Sequence, residues 1–97
     1  MGKLEKFRGW LNTAHGQEVY GLFAKFAEAW RAAGHDKCAS ALIINRCRWE
    51  MNVNAPWQDY KISNDYAPML ARHLALTDPS YRHFFRFHDE EEQVVAA

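Results

Sequence analysis

The cations, amides and aromatic rings between Arg48 and Arg72 (RWEMNVNAPWQDYKISNDYAPMLAR) are the residues of this 97-residue chain best equipped for chemistry. Arg46 and Arg48 precede a polar turn, Lys61 and Asn64 lie within it, and Arg72 follows it. Arginine can hold guanine, and asparagine adenine, through two hydrogen bonds at once, while lysine and arginine anchor phosphate. Arg46, Arg48, Lys61, Asn64 and Arg72 therefore form a candidate nucleic-acid-binding set. The same stretch carries Trp49, Trp57 and Tyr60, and aromatics beside arginines are what protein-binding hot spots use. Trp57 directly follows Pro56 and is either a lid over the core or an exposed anchor. Plainer roles exist for each group: Asn64 as a helix cap, Arg48 as the partner of Glu50 or Asp78, Lys61 as a solvated cation.

Catalysis finds little to work with. Among the five histidines (His15, His35, His73, His83, His88) none has zinc spacing with a second His or Cys. Cys47 falls on an apolar helix face, where burial would raise its pKa and leave the thiol inert. Nothing fixes the separation of Glu50 and Asp59, and no phosphate-loop or protease signature is present. The pattern points to binding without catalysis, metal or cofactor.

The elements that must position these groups are helical. Leu4, Phe7, Trp10 and Leu11 recur at helical spacing and predict a short helix over Lys3–Asn12, broken at Thr13-Ala14-His15-Gly16. Val19, Leu22, Phe23, Phe26, Trp30 and Ala33 mark one face of a longer helix, Gln17 to Ala33, with Gly34 as its left-handed stop. Gly21 inside it costs on the order of 1 kcal/mol against alanine, which suggests a close helix crossing. Asp36 or Ser40 caps a third helix ending near Asn52. Ser40, Ile43, Ile44, Cys47 and Met51 share its core face, and Leu42 and Trp49 widen that stripe.

Pro56 ends the third helix, and Trp57–Ile62 alternates bulky and polar residues as one arm of a small hairpin would. Pro68 is tolerated only in a first turn, so the fourth helix starts at Asn64 or Asp65 and runs to Leu76. Asp78 as N-cap and Pro79 at the first helical position open a last short helix, Ser80–Phe87, with Tyr81, Phe84 and Phe85 turned inward. The expected architecture is a single all-α domain over residues 1–88, of four to five short helices. A helix-turn-helix lies at its centre, with Trp57–Ile62 in the place of a wing. Residues 89–97 form an acidic tail.

In order and spacing, Arg48-Trp49-Glu50, Lys61-Ile62-Ser63-Asn64-Asp65-Tyr66-Ala67-Pro68, Ala71-Arg72, Pro79 and Phe84-Phe85 resemble a family of small proteins of temperate bacteriophages and prophages. In that family an RWE triplet ends a helix, a KINNNY-like turn opens the next, and an aromatic pair follows a proline. The resemblance covers nearly the whole chain. Asp65 departs from the usual asparagine and adds a negative charge to the turn. Phage or prophage origin is what the resemblance implies; it brings no activity to particular residues.

Composition narrows the setting. Cys38 and Cys47, nine positions apart in one helix, would have Cα atoms roughly 13 Å apart, too far for a disulfide, and read as buried thiols in a reducing compartment. No apolar run approaches the ~20 residues that span a bilayer. The charged start MGKLEKFRGW does not suit a secretory signal, so the bacterial cytoplasm is the expected location. Net charge is zero, but Asp89, Glu90, Glu91 and Glu92 form one block, leaving 12 cationic against 8 acidic residues over positions 1–88, a charge of +4. The leading expectation is a helix-turn-helix nucleic-acid-binding regulator, and a homodimer would double its cationic face. The alternative is an inhibitor or adaptor docking on a host or anti-phage defence protein through Trp57, Tyr60 and Trp49.

Overall fold

The computed structural model describes residues 2–54 and 61–86. They form four α-helices, α1 (Lys3–Leu11), α2 (Ala14–Ala32), α3 (Ser40–Asn54) and α4 (Tyr66–Thr77), followed by a 3-10 turn at Pro79–Tyr81. Two-residue strands β1 (Cys38–Ala39) and β2 (Phe85–Arg86) pair in parallel, Cys38 opposite Phe85 and Ala39 opposite Arg86. The domain is all-α, with this pair as a clasp. None of the described helices is long and apolar enough to cross a membrane.

The expected break at Thr13–Gly16 shrinks to Asn12 and Thr13. Thr13 Oγ1 accepts from Gly16 N at 3.0 Å and donates to Trp10 O at 2.6 Å, so one hydroxyl caps α2 and closes α1. Gln17 Nε2 reaches back to Leu11 O at 2.6 Å. At this corner Gly16 is required, since a Cβ there would lie 2.0 Å from Trp10 O. The close approach inferred for Gly21 is therefore found at Gly16 instead. A Cβ on Gly21 meets nothing within 4 Å. Gly34, at φ 105°, ends α2 as its sequence position suggests.

The core gathers one face of each helix. Val19, Phe23 and Ala27 come from α2, Ile43, Ile44, Cys47 and Met51 from α3, and Ala67, Leu70, Ala71 and Leu74 from α4. Phe7 and Leu11 of α1 close one end, with Tyr66 edge-on to Phe7. Each fully buried Val, Ile, Leu or Phe contributes roughly 1.5–3 kcal/mol before entropy. The apolar positions of α2 outnumber those a single face can bury. Leu22, Phe26 and Trp30 are half-buried at its rim, and Ala33 is exposed. Trp30 lies flat on His35, ring centroids 4.0 Å apart, and donates to Lys37 O.

Tyr81, Phe84 and Phe85 are buried as expected, but among the described residues of the expected helix, 80–86, no α-helix forms. Asp78 Oδ1 accepts from Ser80 N and Ser80 Oγ and starts the 3-10 turn with Pro79 in first position. Cys38 N then donates to Phe84 O at 2.9 Å, and strand pairing replaces a further helical turn. Ile62 is buried in a segment without strand structure. Trp57–Tyr60, most of the proposed wing, lies outside the described residues.

Candidate functional site

Arg48 and Asn64 meet. Arg48 Nη2 donates to Asn64 Oδ1 at 2.7 Å and to Ile62 O at 2.5 Å, and Nη1 donates to Asn45 Oδ1 at 2.9 Å. The guanidinium thus closes the approach to α4 onto α3, with neither Glu50 nor Asp78 as its partner. Asp65, not Asn64, stands at the N-cap of α4 and makes no side-chain cap bond there; its carboxylate lies 3.6 Å from Lys3 Nζ. Lys61 is exposed next to Ile62, and Arg72 is half-buried on α4.

Arg46 has different company. Two residues along a helix turn a side chain by about 200°, so Arg46 and Arg48 flank opposite sides of α3. Arg46 Nη1 pairs with Glu50 Oε1 at 2.9 Å. Its guanidinium carbon lies 4.5 Å from the Phe26 ring centroid and 4.6 Å from that of Trp49. The Asn54 amide and Arg46 hold the Glu50 carboxyl below its ordinary pKa. Arg46 is therefore parted from the Arg48–Asn64 contact, and both arginines already have protein partners.

The α4 face that a recognition helix would present is partly packed. Met69, Arg72 and His73 are half-buried, His73 lies edge-on to Tyr20 with centroids 4.8 Å apart, and Tyr20 Oη bonds Thr77 Oγ1 at 2.8 Å. Between Asn54 of α3 and Tyr66 of α4 the described residues are 61–65, which contain no helix.

The outer side of α3 holds Leu42 and Trp49, which their apolar character places with the core stripe, together with Val53. Leu42 is 45 %, Trp49 58 % and Val53 54 % exposed, so they extend no core stripe. With Arg46 they follow the spacing 42, 46, 49, 53, a helical repeat out of phase with core positions 43, 44, 47 and 51. That phase difference is the signal that separates them. Three of the five large exposed apolar side chains among the described residues stand in this row; the other two, Leu4 and Leu76, are on other helices. A helix apolar on two opposite sides ordinarily has both covered. Trp57 and Tyr60 lie outside the described residues, leaving Trp49 as the proposed anchor whose surroundings are known.

An open cleft of about 420 Å³ runs beside this row between α2 and α3, lined by Glu18, Gly21, Leu22, Lys25, Glu50 and Met51 among others. A second, of about 470 Å³, lies between the end of α2 and the 3-10 turn. Two of its cations are engaged, Arg31 with Glu28 and Ser80, and Lys37 with His83 O; Arg82 also lines it. Burial pushes the Cys47 thiol up to about 12, and the described residues contain no metal-binding cluster. Set against protein-family models, curated proteins and solved structures, the chain gives no match to any of the three.

Proposed function

We propose that this chain acts by non-catalytic binding to another protein, through the outer row of α3: Leu42, Arg46, Trp49 and Val53. The observation that carries the reading is Trp49, more than half exposed in the middle of a helix with the Arg46 guanidinium over its ring. Tryptophan and arginine are the residues most enriched at binding hot spots, and anchors along one helix face are how a helix docks in a groove. The resemblance to phage and prophage proteins supports a host or anti-phage defence protein as the target, reached in the bacterial cytoplasm by an inhibitor or adaptor. The helix-turn-helix, nucleic-acid-binding reading draws less support. Arg46, Arg48 and Asn64 have internal partners, and α4 is partly packed.

The test is affinity capture from host lysate with the wild-type chain and with Trp49→Ala. A partner held by the wild type and bound about 30-fold more weakly by the variant is the expected result, as for a hot-spot residue. A partner indifferent to Trp49→Ala would overturn the assignment. Binding to duplex DNA that falls steeply with salt would favour the nucleic-acid reading instead.

A further inference from the structure

We infer that the outer row of α3 pairs with the same row of a second copy, the two helices running antiparallel across a two-fold axis. This rests on the reading of that row as a binding face and names its occupant when the chain is alone.

The row is symmetric about its own midpoint. Leu42 and Val53 are equidistant from the point between Cys47 and Arg48, and so are Arg46 and Trp49. An antiparallel crossing centred there sets Leu42 against Val53 of the other copy and Arg46 against Trp49 of the other copy, each contact occurring twice. A two-fold interface demands such self-complementarity. The chemistry matches at every place: apolar against apolar at the ends, cation against indole in the middle. The central contact repeats between copies what Arg46 and Trp49 already form within one chain.

Charge agrees with the geometry. Glu50, beside Trp49 on the flank nearest α2, comes opposite Arg46 of the other copy. The Arg46–Glu50 pair within each chain thus becomes a four-membered array of alternating sign. The chain's zero net charge leaves no long-range repulsion between copies. From Leu42 to Val53 the row is about 16 Å long at 1.5 Å per residue. One such contact lies at the small end of specific interfaces, below about 1,200 Å², where association is weak and reversible. The dimer therefore dissociates on dilution, and a heterologous partner of the same row competes with it.

Sedimentation velocity on the wild-type chain from about 5 to about 500 µM is expected to show a monomer–dimer equilibrium. Val53→Glu places a carboxylate against an apolar partner and should weaken association at least about tenfold. Arg46→Glu and Glu50→Arg should each weaken it, and the two together should recover the ion-pair part of the loss but not the cation–indole contact. Mixing Leu42→Cys copies with Val53→Cys copies should give a mixed dimer with a short thiol cross-linker, while Leu42→Cys copies alone stay unlinked. A wild type that remains monomeric throughout, or Leu42→Cys copies that link to one another, overturns the proposal. A monomeric wild type whose lysate partner is still lost on Trp49→Ala removes the dimer alone. If Trp49→Ala weakens neither association, both readings fail.

Discussion

Arg48 Nη2 stands 2.7 Å from Asn64 Oδ1, and through this contact α3 holds the segment that leads into α4. The same guanidinium takes the Ile62 carbonyl, and Ile62 is buried. One side chain therefore seats the hydrophobic plug and fixes the entry to α4. Arg48→Ala should destabilise the domain by about 1.5–3 kcal/mol, the range for hydrogen bonds to a charged group. Arg48→Lys should recover only part of this, because an ammonium lacks the planar fork that reaches three oxygens. Chemical denaturation of both variants checks the order; equal stability of Arg48→Ala and the wild type would remove the clamp.

The two glycines of α2 predict opposite outcomes from one substitution. Gly16→Ala drives a methyl into Trp10 O and Leu11 Cα, backbone atoms that cannot step aside, and should cost more than about 3 kcal/mol. Gly21→Ala meets open space in a helix interior and should stabilise by about 0.5–1 kcal/mol. Thermal melting of the pair distinguishes a packing glycine from a merely permissive one.

Tyr81 and Glu28 make stability depend on pH at both ends of the scale. Burial, then the hydrogen bond to Glu28, raise the Tyr81 hydroxyl from 10.0 to about 12. Its contribution is complete below pH 10 and is lost as pH rises toward about 12. The Tyr81 hydroxyl and the Arg31 guanidinium lower the Glu28 carboxyl below its ordinary 4.5, so that contribution is present above pH 4.5 and fades as pH falls through the lowered value. Tyr81→Phe should remove the latest phase of tyrosinate ultraviolet absorbance and flatten the alkaline loss of stability. An unchanged alkaline titration would refute the assignment.

Cys38 and Cys47 are both buried, and the Cys47 thiolate is strongly disfavoured. A thiol reagent at neutral pH should label neither in the folded chain and both after denaturation. Rapid labelling of Cys47 in the native protein would show that α3 detaches from the core.

The helices were legible because their apolar positions repeat at 3.6 residues and their ends carry local signals: Gly34 in the left-handed region, Asp78 bonding Ser80, Pro79 in first position. Errors came where one residue type serves two purposes. Leu42 and Trp49 look like core because apolar residues on a helix usually are, and only their phase against Ile43, Ile44 and Cys47 separates them. Arg46 and Arg48 look alike in sequence, yet 200° of helical rotation gives them different neighbours. The stretch Phe84–Phe85 reads as helical by spacing, but a carbonyl bonded to a residue 46 positions earlier decides its backbone. No local pattern announces such a partner.

The clasp between β1 and β2 also orders events during synthesis. Cys38 sits immediately ahead of α3, and its backbone partner is supplied by Phe84. Until Phe84 has left the ribosome, α1, α2 and α3 can associate, but Cys38 N ahead of α3 still lacks its backbone partner. The nascent chain must clear the exit tunnel past Arg86 before the fold locks, which leaves every shorter intermediate open at that edge.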